Sequence, residues 1–338
     1  MPFVDQIIRY GSLSVVGLGK NTGKTECLNY VMRRLSEMRK VVAVTSIGID
    51  GEGVDQVTFT PKPSIYLEKG MYFTTLSSFY TRKQFQAEIC HVENAGTVLG
   101  KMVTARVLER GKMVLAGPSD TVSLQRWVSR IPERFPVDVC LVDGAISRLS
   151  SASPVVTRSM VLATGAAYSA NVRTLVERTR FVYDTVRLPQ APSGLREKLE
   201  QVTKGIRIIT DKGEITDPGV RSVLLPDQVR KVLETGGNRL YVPGVVGNAL
   251  LKALGERKEA GETELYVRDF SRIFAEPRVF YSFLRKGGRI LQLFTTHLLA
   301  ICVNPLSPEG IRLKSEELVD KMQRVVEVPV YDIKKIRS

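Results

Sequence analysis

Apolar runs and helically spaced apolar residues follow one another at the start of the chain. The apolar run from Leu13 to Val16 breaks into a glycine-rich turn, and helical spacing of apolar residues begins at Lys24. Short apolar runs bounded by glycine are typical of buried strands, whereas spacings of three and four residues are typical of helices. A further apolar run occupies residues 41–48. The pattern predicts a strand, a loop, a helix and a second strand, which together form a parallel βαβ unit.

The pattern changes twice farther along the chain. Between residues 54 and 117, short β-rich runs are separated by Pro, Gly and charged turns, which predicts a mostly antiparallel insertion. The segment Pro189–Gly194 has the composition of a linker, and strands and helices alternate again beyond it. We therefore predict two domains, residues 1–188 and residues 195–338, of which the second is a further α/β unit.

The glycine-rich turn has the residue types of a phosphate-binding loop. Its glycines allow main-chain N–H groups to turn inward around a phosphate, and the helix start that follows favours an anion. Lys24 places a positive charge on the phosphate oxygens, and Thr25 offers a hydroxyl to Mg²⁺. We expect the nucleotide to contact Gly17, Gly19, Asn21, Thr22, Gly23, Lys24, Thr25 and Glu26. The alternative is a glycine-rich turn that only happens to end in Gly-Lys-Thr.

The spacing within this loop departs from the commonest phosphate-loop pattern. That pattern, G-x-x-x-x-G-K-S/T, would need glycine at position 18, where this chain has Leu18. The longer form, with five residues between Gly17 and Gly23, resembles the loop of dethiobiotin synthetase and its relatives. Lys20 lies four residues before Lys24, whereas some dimeric ATPases place a second lysine five residues before it. Lys20 is therefore interpreted equally well as a solvated lysine.

Two acidic residues follow buried strands and are candidates for the same site. Asp143 ends the apolar run that begins at Val137, which is the Walker B arrangement, and Asp50 follows the run at 41–48. Ligands bind at the carboxyl ends of parallel strands, so both carboxylates are expected beside the phosphates. We predict Thr25, Asp50 and Asp143 as Mg²⁺ ligands, and Lys24 and Asp50 as catalytic residues. Alternatively, Asp50 belongs to a capped surface turn.

These motifs define the predicted fold class as α/β: a P-loop NTPase parallel sheet with a β-rich insertion and a second C-terminal α/β domain. No guanine-reading N-K-x-D motif follows the late strands, so we expect Mg²⁺ with ATP in preference to GTP. Arg148, after the Asp143 strand, either stabilises transition-state charge or is a surface arginine. Asn304-Pro305 ends a late strand and could line a pocket, although strand-ending Asn and Pro need no ligand to explain them.

The composition of the chain argues against several classes of protein. The 49 Lys and Arg exceed the 35 Asp and Glu, which gives a formal net charge of +14, but the charges are dispersed. No nucleic-acid-binding signature accompanies them, so we expect no specific nucleic acid as partner. The four cysteines form no C-x-x-C pair and only two histidines are present, which argues against a zinc site and for reduced thiols.

The sequence has no signal peptide and no apolar stretch of the roughly 18 residues that a membrane span needs, so we expect a cytoplasmic protein.

Four segments together resemble the nucleotide-binding subunit of the lysine 5,6-aminomutase reactivase. They are the glycine loop at 17–25, the turn at 45–52, the strand end at 142–154 and the late segment at 303–310. The resemblance implies an ATPase that restores a cobalamin- and pyridoxal-phosphate-dependent aminomutase, with a partner enzyme or second reactivase subunit and a possible homodimer. Two alternatives stay open: an ATP-dependent ligase of the dethiobiotin-synthetase type, and a nucleotide sensor without turnover.

Overall fold

The computed structural model describes residues 3–48, 65–97, 100–145, 156–224, 226–234 and 237–335. The chain forms two compact units. The first comprises Met1–Arg180 together with Thr296–Ser338, and the second comprises Phe181–Thr295.

Helices and strands are interspersed along the chain. Up to the unit boundary they are α1 (Phe3–Tyr10), β1 (Ser12–Gly17), α2 (Lys24–Glu37), β2 (Val42–Ser46), β3 (Ile65–Leu67), β4 (Tyr72–Leu76), α3 (Ser77–Tyr80), β5 (Ala87–Thr97), β6 (Gly100–Val107), β7 (Gly111–Met113), α4 (Thr121–Arg134), β8 (Val139–Ala145), β9 (Ser159–Gly165) and α5 (Val172–Val186). The next are α6 (Ser193–Leu199), β10 (Arg207–Ile209), β11 (Ile215–Thr216), α7 (Pro226–Glu234), β12 (Arg239–Val242), β13 (Val246–Gly247), α8 (Asn248–Gly255), β14 (Glu264–Val267), β15 (Ile273–Phe274), α9 (Pro277–Arg285) and β16 (Arg289–Gln292). The last are β17 (His297–Asn304), α10 (Ser315–Gln323) and β18 (Val330–Asp332).

A nine-stranded, mostly parallel sheet organises the first unit. Its strand order is β18-β17-β9-β1-β8-β2-β4-β6-β5. Every pairing from β18 across to β4 is parallel, and β6 and β5 are added antiparallel at one edge. All residues of β1, β2 and β9 are buried, as expected for strands covered by helices on both faces. The α/β class with a large parallel sheet is therefore confirmed.

Alternate residues of β8 belong to different hydrophobic cores. Val139 and Leu141 pack in the core that contains the apolar face of α2, whereas Cys140 and Val142 pack in the core that contains Trp127 of α4. Successive side chains of a strand point to opposite faces of a sheet. Asp143, the next residue after Val142, is therefore placed on the face that α2 covers. This alternation brings the acidic end of the strand to the start of the helix.

The segment predicted as a β-rich insertion at 54–117 contributes strands to the main sheet. The pairings β4–β6, β5–β6 and β3–β7 are antiparallel, but β4 pairs with β2 in parallel. The part of this segment before residue 65 lies outside the described residues. The remainder extends the central sheet and adds one two-stranded ribbon, β3 with β7.

The C-terminal residues lie in a different unit from the one that the sequence predicted. The predicted C-terminal domain ran from 195 to 338, whereas residues from Thr296 onward lie in the first unit. The reason is strand pairing: β17 pairs with β9 over most of its length, and β18 pairs with β17. All of β17 except His297 is buried, so it is a central strand of the large sheet.

The second unit has its own sheet and its own core. The sheet order is β11-β10-β12-β14-β16, in which β12, β14 and β16 are parallel and in register. Helices α8 and α9 pack on it through Leu250, Leu254, Phe280 and Phe283. Within the described ranges of the chain, no helix combines the length and the apolar character that crossing a membrane requires.

Candidate functional site

The glycine loop connects the carboxyl end of a central strand to the start of a long helix. It begins where β1 ends at Gly17, and α2 begins at Lys24. Two residues of the loop have left-handed backbone conformations, Asn21 with φ 58° and Gly23 with φ 90°. Left-handed conformations fold successive main-chain groups into a tight concave turn, the geometry of anion-binding nests. The sequence-based prediction of strand, loop and helix at these residues agrees with the structure.

The loop leaves no room for side chains at its first glycine. A Cβ atom at Gly17 would lie 2.8 Å from Thr22 Oγ1 and 3.2 Å from the carbonyl oxygen of Gly19. Thr22 Oγ1 donates a hydrogen bond of 3.0 Å to that same carbonyl. The hydrogen bond from the Thr22 hydroxyl to the Gly19 carbonyl therefore holds the loop in its turned-back conformation. A residue without a side chain at position 17 is therefore what allows the chain to turn this tightly.

Leu18 explains the longer spacing of the loop. Its N–H donates to the carbonyl oxygen of Ala163 in β9 at 2.8 Å, and its side chain is buried. Leu18 thus prolongs the pairing of β1 with β9 by one residue before the chain turns. A glycine is not needed at a position that continues the sheet.

Lys24 and Asp143 are brought together at this edge of the sheet. Lys24 Nζ lies 3.1 Å from Asp143 Oδ1, and the two side chains are 18% and 7% exposed. Asp143 lies opposite Val15 of β1 and Ser46 of β2. Its carbonyl oxygen accepts hydrogen bonds from Ile47 N at 3.2 Å and Ser46 Oγ at 3.4 Å. The carboxylate is therefore held on a rigid strand directly beside the first residue of α2.

Three residues that sequence reasoning did not assign to the site contact the loop. Asn304 Nδ2 donates to the carbonyl oxygen of Asn21 at 3.4 Å. A Cβ at Gly23 would lie 3.1 Å from Asn304 Cβ and 3.3 Å from Ile333 Cγ2, and one at Gly19 would lie 3.1 Å from Tyr168 Cδ2. Only Asn304 had a sequence signal, its place before Pro305 at a strand end. For Tyr168 and Ile333 the sequence offers none.

Glu26 is paired with the end of the chain. Its Oε1 lies 2.5 Å from Lys334 Nζ, with the two side chains 10% and 30% exposed. Glu26 was predicted as a nucleotide-binding residue, and the carboxylate lies in the first turn of α2. Thr25, beside it in the same turn, is partly exposed. Among the other predicted residues, Asp50 and Arg148 lie outside the described residues.

The cysteines near the loop are not nucleophiles. Cys27 and Cys302 are both buried, with their sulfur atoms 3.5 Å apart. The hydrogen bond to Cys302, together with burial, raises the pKa of Cys27 well above its usual value, and burial raises the pKa of Cys140 to about 12. Protonated, inaccessible thiols are inert. Among the described residues, the chemistry at this edge therefore comes from main-chain amides, the Lys24 ammonium, the Thr25 hydroxyl, and the carboxylates of Asp143 and Glu26.

This set of groups fits a magnesium-bound phosphate chain. The glycine loop, the ammonium of Lys24 and the start of α2 suit the anion, while the Thr25 hydroxyl and the Asp143 carboxylate suit the cation. Across the part of the chain that the structure describes, no three His, Cys, Asp or Glu side chains form a group that could hold a metal by themselves. Comparison with protein-family models, with curated proteins and with solved structures gave no match.

Proposed function

We propose that this protein is a cytoplasmic P-loop ATPase that binds Mg-ATP at the Gly17–Thr25 loop. The observation that carries the proposal is the position of Lys24, the residue directly after the glycine loop, whose ammonium lies 3.1 Å from the Asp143 carboxylate. The lysine of a phosphate loop and the acid at the end of a neighbouring strand are the two charged groups that this chemistry needs. Both residues lie at the carboxyl edge of one parallel sheet, and this supports the proposal because ligands bind at that edge in such sheets.

Each group has a defined task in this proposal. The main-chain N–H groups of the loop bind phosphate oxygens, and Lys24 neutralises their charge. Thr25 and Asp143 would hold Mg²⁺, which supplies further neutralisation of the phosphate oxygens when it is bound. Asp50, assigned from the sequence alone, would orient the attacking water.

Lys24 has two competing partners in this arrangement. Its ammonium pairs with Asp143, and the phosphate oxygens of a nucleotide would compete with that carboxylate for it. The Asp143 carboxylate would at the same time interact with Mg²⁺, a cation of higher charge than the lysine ammonium. Nucleotide binding is therefore expected to depend on Mg²⁺, because without it Asp143 would repel the phosphates.

The sequence resemblance supports a role in reactivating a cobalamin-dependent aminomutase of the lysine 5,6-aminomutase type. In that role, ATP hydrolysis would drive a conformational step in a partner enzyme or a second reactivase subunit. The competing functions are a ligase of the dethiobiotin-synthetase type and a sensor without turnover. They differ in what must be present for phosphate to be released.

Calorimetric titration with Mg-ATP tests the binding part of the proposal. We expect saturable binding that is lost in Lys24→Ala and retained in Lys40→Ala, a matched lysine that pairs with Asp138 just beyond α2. Unchanged affinity in Lys24→Ala would overturn the assignment of the loop.

Phosphate release then separates the three functions. Release by the protein alone that rises when an aminomutase is added supports reactivation. Release that requires an added small carboxylic acid supports the ligase. Binding without release under either condition supports the sensor.

A further inference from the structure

The first turn of α2 contains a carboxylate that opposes the proposed task of the loop. Glu26 follows Thr25 directly, and its side chain is only 10% exposed. It lies within one helical turn, which is about 3.6 residues, of the N–H groups that would bind phosphate. The start of a helix favours an acidic side chain and an anionic ligand for the same reason. The Glu26 carboxylate and a bound phosphate would thus compete for the same positive potential at the start of α2.

The end of the chain supplies the compensating charge. Lys334 Nζ lies 2.5 Å from Glu26 Oε1. Lys334 is held in place by its main chain, because its N–H donates to Asp332 Oδ1 at 2.7 Å. The preceding residue, Ile333, donates its N–H to the carbonyl oxygen of Val303 at 3.0 Å and packs against Gly23. Strand pairing therefore holds the main chain that carries Lys334 beside the loop.

Burial makes this compensation effective. Charges that are largely withdrawn from water interact several times more strongly than fully solvated ones, because the local dielectric constant is lower. Without the ammonium of Lys334, the partly buried Glu26 carboxylate would therefore oppose a polyphosphate more strongly, whereas the ion pair that the two residues form has no net charge.

We propose that Lys334 is a positioning residue that neutralises Glu26 and thereby keeps the Gly17–Thr25 loop attractive to a nucleoside triphosphate. The proposal rests on the proposed function. It identifies the last segment of the chain as part of the nucleotide site, through electrostatics and not through contact with the nucleotide.

A charge-rescue experiment tests this role. Mg-ATP affinity is measured by calorimetry in the full chain for Lys334→Met, Glu26→Gln and the double variant. Lys334→Met is expected to bind about ten-fold more weakly, equivalent to about 1.4 kcal/mol. Glu26→Gln in the Lys334→Met background is expected to restore affinity to within about two-fold of the unmodified protein, because it removes the negative charge that Lys334 had neutralised. Lys334→Arg, which keeps the charge, is expected to bind normally.

Lys335→Met is the matched control. Lys335 is the next residue, but its ammonium pairs with Glu316 of α10 at 3.3 Å, on exposed side chains. We expect it to bind Mg-ATP within about two-fold of the unmodified protein, since exposed pairs contribute little. Thermal unfolding without nucleotide is recorded for every variant, so that a loss of folding is recognised by its effect on the midpoint.

The outcomes are distinct. Affinity of Lys334→Met equal to that of Lys335→Met would overturn the proposal. Weak binding that Glu26→Gln does not rescue would also overturn it, because Lys334 would then act through packing alone. Absence of binding in the unmodified protein would overturn the proposed function, and this inference with it.

Discussion

Lys24 Nζ and Asp143 Oδ1 lie 3.1 Å apart, although one belongs to the first turn of α2 and the other to the end of β8. The pairing follows from two local rules. Alternation along β8 directs Asp143 to the face that α2 covers, and the parallel register of β1 with β8 sets Asp143 beside Val15. The ion pair therefore joins the two elements that the proposed phosphate site requires.

Substitutions of Lys24 and of Asp143 are expected to lower the free energy of unfolding by different amounts. Lys24→Met should lower the free energy of unfolding by about 1–3 kcal/mol, because Asp143 is the more buried partner and loses this cation. Asp143→Asn should lower the free energy of unfolding less, since the Lys24 side chain is longer and, at 18% exposed, the more accessible to water of the two. Urea unfolding followed by the emission of Trp127, the single tryptophan of the chain, measures both. An equal or larger loss in Asp143→Asn would contradict this explanation.

Gly23→Ala should disturb the loop more than its backbone conformation alone explains. A residue with a side chain in the left-handed region loses about 1–2 kcal/mol. Gly70 has nearly the same φ, 89° against 90° at Gly23, with nothing within 4 Å of an added Cβ. A Cβ added at Gly23 would be in tight steric contact with the side chains of Asn304 and Ile333. We expect a larger drop in unfolding free energy for Gly23→Ala than for Gly70→Ala, measured by urea unfolding.

Nucleotide affinity provides a second measurement on the same two glycine variants. Gly23→Ala should weaken Mg-ATP binding, whereas Gly70→Ala should not, since Gly70 lies in the turn before β4. Equal losses of stability and equal affinities in the two variants would show that the contacts at Gly23 have no effect.

Asp120 should stabilise the protein in a pH-dependent way. It caps α4 by accepting a hydrogen bond of 2.9 Å from Ser123 N, and this bond lowers the pKa of its carboxyl group. A lowered folded-state pKa means that the stabilisation is present above the unfolded pKa, about 3.9, and is lost as pH falls through the folded pKa. Asp120→Ala should therefore cost about 1 kcal/mol at pH 7 and less near pH 3.

Asp120→Asn is the matched variant for this capping effect. Asparagine also caps helices but does not titrate, so its stabilisation relative to alanine should not change with pH. Urea unfolding of the three proteins at pH 7 and pH 3 gives the comparison. A gap between Asp120 and Asp120→Ala that stays constant over this range would contradict the role of the ionised carboxylate.

The division into units predicts which fragments fold. Residues 181–295 have their own sheet and core, so we expect this fragment to show a cooperative thermal transition and native-like helix and strand content by circular dichroism. A fragment of residues 1–295 lacks β17 and β18, which would leave β9 with an unpaired edge. An exposed apolar edge strand promotes aggregation. Folding of residues 1–295 as a stable monomer would contradict the placement of β17.

Much of the site was predictable because its pieces are local. The strand from Leu13, the turn at Gly17–Gly23 and the helix from Lys24 are encoded in consecutive residues. The spacing of the motif could not predict the role of Leu18. Whether position 18 belongs to the loop or to the sheet depends on its hydrogen bond to Ala163, which lies in another strand. Asp50 was assigned from its place after a strand, and it stays a prediction because it lies outside the described residues.

The sequence by itself determined the alternation of strands and helices, the glycine turn and the acid at a strand end, because periodicity and backbone freedom act within a few residues. Only the tertiary structure decided that residues 296–338 complete the first sheet, that Asn304 and Ile333 close the loop, and that Lys334 reaches Glu26. The physical reason is that burial of apolar surface is non-directional. A buried strand such as β17 shows in its sequence that it must be covered, but not which strand will lie beside it.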